Sequence, residues 1–271
     1  ASSPFITGEY RVGVTASPET VALESADDIA LADRLKTGRD AIISELRGGE
    51  NDPDQLLDQE VTAAAFRAHS YRHPTIGWLA DLESMTRDDL YGYYRRFYVP
   101  NNATLVVVGD VDTDEALRSA RRHFDAIQPG DVGRRRHTRE PEQLGERRIT
   151  VSKEGTTAYV KLAYHAPAAT EPDFFPLLVL DAVLTGAKGL SLWASFRTPP
   201  PQRSARLYQR LVNTGLASAV NGGLVATQDP FLYTISLTAT GATPLAALEE
   251  GALAEIDRAR LGGITPHELR K

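Results

Sequence analysis

Residues 86–109 read TRDDLYGYYRRFYVPNNATLVVVG. Thr86 followed three residues later by Asp89 predicts a helix start, because the hydroxyl accepts from an orphan amide while the carboxylate reaches back to the cap. The helix should end near Tyr98. Val99 precedes a proline and is biased toward extended backbone, Pro100 cannot continue a helix, and Asn101 and Asn102 turn the chain through their side-chain amides. Residues 104–108 are then β-branched at every position except Leu105, the pattern of a strand buried on both faces. These residues alone specify a layer of helix and strand.

Composition places that layer in a globular protein. The 271 residues suffice for two domains, each with its own core. A net charge of -6 lacks the basic excess of a nucleic-acid binder, and zero cysteines exclude disulfides, thiolate metal sites and a cysteine nucleophile. No stretch approaches the roughly 18 consecutive apolar residues of a membrane helix. No signal peptide is visible either, and the compartment, cytoplasmic or periplasmic, stays open.

Two halves separate at a charged, turn-rich connector, residues 129–148, whose scarcity of apolar side chains denies it a place in a core. Before it, Leu117, Ala120, Phe124 and Ile127 fall at helical spacing, so a helix over 112–127 should face the 104–108 sheet. After it, strands are predicted at 149–152, 158–164, 217–226 and 231–240. Helices are predicted at 173–184, with Phe174, Leu177, Leu178 and Leu184 inward, and at 204–212 and 244–260. The expected fold is α+β: two similar domains, each a mostly antiparallel sheet with helices on one face. The expected boundaries are 1–128 for the first domain, truncated at its start, 129–148 for the connector and 149–271 for a nearly complete second domain. Thr265 and Glu268 would open one more capped helix in which the chain stops.

The quoted stretch, with its flanks, resembles the insulinase and pitrilysin family of zinc peptidases, which includes mitochondrial processing peptidases and their inactive partner subunits. The resemblance is carried by the segment from Tyr98 to Ala103, the apolar run closing in Gly109-Asp110 and the acidic-capped helix after Asp112. Upstream, Phe66 to Trp78 resembles the family's Tyr, Pro and Ile-Gly turn, and Arg39 to Glu45 its ligand-bearing helix. By this resemblance Glu45 is the third zinc ligand, a carboxylate suited to a site shared with two imidazoles. Many members carry a second glutamate seven residues earlier, where this chain has Gly38. Family members that cut peptides also need His-x-x-Glu-His, and that motif is absent from this sequence. The resemblance begins only near residues 9–14, so the chain is either a piece of a longer protein or a member without the metal site.

Other candidates are weaker. His69 and His73 have four-residue spacing but no intervening glutamate, and Pro74 disfavours helix at His73, so a structural or solvent-facing role is expected. Residues 204–217 resemble the family's Ser-Arg-Leu-Tyr segment, which implies that Arg206 and Tyr208 line the peptide chamber. A helix docking Leu207 and Leu211 on the sheet explains the same residues without substrate. Where some members grip peptide with an arginine and a tyrosine, this chain has Val212 and Ser218. The glycines around Lys188 fit no nucleotide-binding spacing. Leu190, Leu192, Trp193 and Phe196 in the long loop that follows are expected to meet a partner domain or peptide.

Two functions follow from the resemblance. One is a zinc endopeptidase in which metal-activated water hydrolyses a peptide, with this chain alone inactive and binding no zinc. The other is a non-catalytic partner subunit that completes the chamber of an active homologue. Both imply a peptide substrate and a homo- or heterodimer of like subunits.

Overall fold

The computed structural model describes residues 27–133, 138–188, 202–241 and 243–270. The chain divides into two compact units: residues up to Ser44 with Leu79–Val132, and Glu45–Trp78 with Gly133–Lys271. Helix α1, Asp27–Glu50, contributes to both. The division therefore differs from a linear cut near residue 128, because residues 45–78 join the later part of the chain.

In the first unit, α3 (Leu79–Ser84) is followed by α4 (Arg87–Phe97), which carries the expected capping box. The Asp89 amide donates to Thr86 Oγ1 at 3.2 Å, and the Thr86 amide donates to Asp89 Oδ2 at 2.9 Å. The two asparagines then stop the helix and fix the turn. Asn102 Nδ2 donates to the Phe97 carbonyl at 2.9 Å, while Asn101 exchanges two 2.9 Å hydrogen bonds with the Gly130 backbone. Helix α5, Thr113–Phe124, starts at Asp112, whose carboxylate accepts from the Glu115 amide.

The expected strand at 104–108 is not formed. The segment has no regular secondary structure and pairs with no strand among the described residues, and Val106 and Val108 are 73% and 90% exposed. β-branched residues favour extended backbone, but a strand exists only where a neighbour supplies the other half of the ladder. The expected strand at 9–14 lies outside the described residues. For the same reason the apolar stripe of α5 faces no sheet among the described residues, and Leu117, Phe124 and Ile127 are exposed.

The second unit opens with α2, Pro53–Ala65, capped by Asp52. Strand β1, Tyr159–Ala166, and helix α6, Phe174–Leu184, follow. Strands β2, Ala217–Leu224, and β3, Phe231–Ala239, precede helix α7, Leu245–Gly262. The sheet is antiparallel in the order β1-β3-β2. Period-two alternation puts Tyr233, Ile235, Leu237 and Ala239 of the central strand into the core, where they meet Leu184, Leu207, Leu211, Leu248 and Ala252. Each buried leucine there contributes about 2 kcal/mol of apolar transfer.

Two expectations are corrected in this unit. Residues 149–152 form no strand. The helix expected over 204–212 is wound as a π-helical turn at Tyr208–Val212, in which the Asn213 amide donates to the Tyr208 carbonyl five residues back. This winding leaves Leu207 and Leu211 both fully buried.

Lys161 of β1, 5% exposed, reaches Asp58 of α2 at 2.9 Å and Asp54 at 3.4 Å. Arg147 donates to the Ala64 and Ala65 carbonyls at 2.6 and 3.0 Å, placing a cation on the α2 C-terminus. These bonds give α2 a reason to belong with the later chain.

Candidate functional site

Glu45 stands on α1 next to Leu46. The leucine is buried and the carboxylate is exposed. Among the described residues no three His, Cys, Asp or Glu side chains gather closely enough to hold a metal ion. A zinc site needs three protein ligands and an open position. The residues described thus do not constitute such a site, and Glu45 supplies at most one arm of it.

Arg206 and Tyr208 lie where α7 meets the π-helical turn. The Arg206 guanidinium is engaged on two sides: Nε and Nη2 donate to the Glu268 carboxylate at 2.6 and 2.8 Å, and Nη2 donates also to the Gly263 carbonyl at 2.9 Å. Gly263 ends α7 at φ +70°, a conformation in which a Cβ is strained, and so turns its carbonyl toward the guanidinium. Glu268 is fixed from its other side by Thr265, whose amide and hydroxyl both donate to Oε2 at 2.8 Å. The Arg206 hydrogen bond, then those from Thr265, hold this carboxyl well below the usual range. In turn the Glu268 hydrogen bond pushes the Arg206 guanidinium up.

Beside this pair runs an open groove of about 320 Å³ lined by Arg206, Gln209, Arg210, Glu255 and Arg258. Glu255 is buried and pairs with Arg258. Tyr208 is half-buried. Arg206 itself already meets a carboxylate and a carbonyl, so gripping a peptide would require it to exchange partners.

His69 and His73 flank a short 3-10 turn at Ser70–Arg72 and share no helix. His69 Nδ1 accepts the Tyr71 amide at 3.2 Å, which leaves the ring proton on Nε2, 3.6 Å from Asp229 Oδ2. The residue is 8% exposed, and its ring packs edge-on against Tyr71, with centroids 4.3 Å apart. Phe66 stacks on Phe231 in the same cluster. The amides of Arg67, Ala68 and His69 converge on Glu140 at 2.6 to 2.9 Å. Desolvation raises the Glu140 pKa, but the three donors outweigh it and hold the carboxyl below its usual range. His69 is therefore a core residue.

Sequence reading passed over Asp181, the one charged side chain in the α6 sequence FFPLLVLDAVL. Its carboxylate is buried and meets Lys188 Nζ at 2.8 Å. A lone carboxylate in an otherwise apolar helix was the available signal, since such a group requires a partner. Leu190, Leu192, Trp193 and Phe196 lie outside the described residues.

Residues 84–271 match the family model of the peptidase M16 inactive domain. The zinc protease PqqE of Helicobacter pylori is 26% identical over 225 residues, covering 82% of this chain and 48% of that protein. The mitochondrial-processing peptidase subunit beta of Lentinula edodes is 26% identical over 226 residues, covering 80% and 47%. In structure, the chain resembles a protease from Helicobacter pylori with a TM-score of 0.76 at 25% identity, covering 88% of this chain and 55% of that one. It also resembles a peptidase M16 inactive domain from Pseudomonas fluorescens with a TM-score of 0.72 at 18% identity, covering 88% and 54%, a likeness of fold alone. The chain spans about half the length of the curated relatives it matches.

Proposed function

The chain belongs to the peptidase M16 family through its inactive domain, and on that premise we propose that it is part of a zinc-dependent endopeptidase of the insulinase and pitrilysin type, inactive by itself, whose later residues close the chamber. The observation that carries this reading is the inactive-domain match over residues 84–271, in a chain whose relatives named zinc proteases are about twice as long. In such a protein zinc activates the water that attacks the peptide carbonyl. The histidine pair and the base come from another part of the protein, and Glu45 serves as the third ligand.

The second unit supplies a rigid wall to the chamber, with Arg206 and Tyr208 at its rim. The substrate is a peptide or an unfolded segment, and like subunits associate as a homo- or heterodimer. The mitochondrial-processing peptidase subunit among the relatives supports association with a like subunit, and the alternative reading is a non-catalytic partner subunit of such a dimer. The coding sequence preceding Ala1 decides between them. His-x-x-Glu-His encoded there supports the peptidase, and its absence from the complete gene assigns the chain to the partner-subunit class.

A further inference from the structure

Lys188 Nζ is surrounded by oxygen. It lies 2.8 and 3.1 Å from the two carboxylate oxygens of Asp181, 2.8 Å from Thr185 Oγ1 and 2.9 Å from the Gly222 carbonyl. Thr185 Oγ1 donates to Asp181 Oδ1 at 2.5 Å, so its lone pairs are left for the ammonium. The Asp181 side chain is 4% exposed and that of Lys188 17%. The Tyr233 hydroxyl, in a residue 4% exposed, is buried beside Asp181 and Thr185. Burial first, and the Asp181 charge second, push this phenol far up, so it stays a neutral oxygen. The backbone makes room for the cluster at Gly222, where a Cβ would stand 2.2 Å from Asp181 Oδ1, 2.3 Å from Thr185 Oγ1 and 2.7 Å from Lys188 Nζ.

An ordinary buried ion pair needs one carboxylate and one ammonium. Here a hydroxyl and a carbonyl complete an oxygen shell around the ammonium. We propose that Asp181, Thr185 and Gly222 form a monovalent-cation site whose resident is the tethered ammonium of Lys188, and that free potassium or ammonium occupies it when that side chain is removed. Charge and size select this class of ion. One carboxylate balances one positive charge, and a lysine ammonium is a compact, strongly hydrated point charge that a simple cation can replace. Magnesium requires oxygens at about 2.0 to 2.1 Å and calcium at about 2.3 to 2.6 Å. The oxygens around Nζ stand at 2.8 to 3.1 Å, hydrogen-bond distances to an ammonium that are longer than either.

Thermal unfolding of the complete chain and of K188A and K188M in potassium, ammonium or tetramethylammonium chloride at equal ionic strength tests the site. Tetramethylammonium is too bulky to enter and controls for screening. The Tm of K188A is expected to rise with potassium and ammonium along a saturating curve, as a ligand of the folded state requires. K188M, whose side chain fills the space, and the wild type should gain nothing beyond the screening control. If K188A responds alike to all three salts, Asp181 and Lys188 are an ion pair only and the proposal is overturned. Should K188A be recovered unfolded, its refolding yield becomes the readout, and equal yields in potassium and tetramethylammonium likewise overturn it.

Discussion

Arg206 and Glu268, 62 positions apart, face each other through two hydrogen bonds of 2.6 and 2.8 Å. The pair fastens the chain's last described turn to the π-helical turn and occupies the guanidinium expected to line the chamber. Because the folded pKa of Glu268 is depressed, the stabilisation is complete above the unfolded value of about 4.5 and is lost as pH falls below it. Glu268→Gln should cost about 1 kcal/mol at neutral pH, a modest figure because both side chains retain some exposure. Urea denaturation at pH 7 and in acid checks this, and the difference between variant and wild type should shrink in acid.

Gly222→Ala should be among the most destabilising single-methyl additions in the chain. The new Cβ would lie 2.2 to 2.7 Å from three polar atoms of the Asp181 cluster, so either the strand shifts or the buried ion pair opens, at a cost of roughly 3 kcal/mol. The urea midpoint measures it. A change under about 0.5 kcal/mol, the range of an ordinary surface substitution, would show that the cluster yields freely.

Helix α2 should unfold together with the β1-β3-β2 sheet. Lys161 and Arg147 tie it to the later chain, and the Glu140 cradle secures the turn that follows it. Native-state hydrogen exchange should give α2 and β1 amides a common opening free energy. Glu140→Gln removes the charge from an acceptor of three amides and should lower that energy by about 1 to 2 kcal/mol. Exchange from α2 independent of the sheet would instead support a domain beginning near Ile149.

Much of this was legible because it is local. The Thr86 and Asp89 box, the Asn101 and Asn102 turn and the Asp112 cap each depend on residues within a few positions, and the alternation of β3 needs only period two. Pairing was not legible. Residues 104–108 have strand composition, but nothing in them reveals that no neighbour among the described residues lies alongside. The site was still less so: Arg206 carries no sign of Glu268, nor Lys188 of Gly222, because both contacts arise only once the sheet and helices are assembled. The π-helical winding of Tyr208–Val212 also escaped, since an α-helix and a π turn bury the same leucine pair.

Val108→Ser should be nearly neutral in this chain, within about 0.5 kcal/mol, because the side chain is 90% exposed. In the longer protein proposed above, residues 104–108 would be covered by the rest of their sheet, and the same substitution should cost about 1 to 3 kcal/mol, the loss of a buried apolar side chain together with the burial of a hydroxyl. Paired chemical denaturation of the two proteins reads the difference. Equal effects in both would mean that the strand remains uncovered.

The most direct measurement is metal-dependent hydrolysis of an unfolded peptide, with zinc content determined on the same samples, for this chain, for the protein extended through its preceding coding sequence and for the extended Glu45→Gln variant. The account predicts no zinc-dependent turnover by this chain, and one zinc with turnover by the extended protein. Glu45→Gln should weaken zinc binding and largely abolish turnover while leaving the fold intact. Stoichiometric zinc and hydrolysis by this chain alone, or an extended protein carrying His-x-x-Glu-His that neither binds zinc nor cuts, would contradict it.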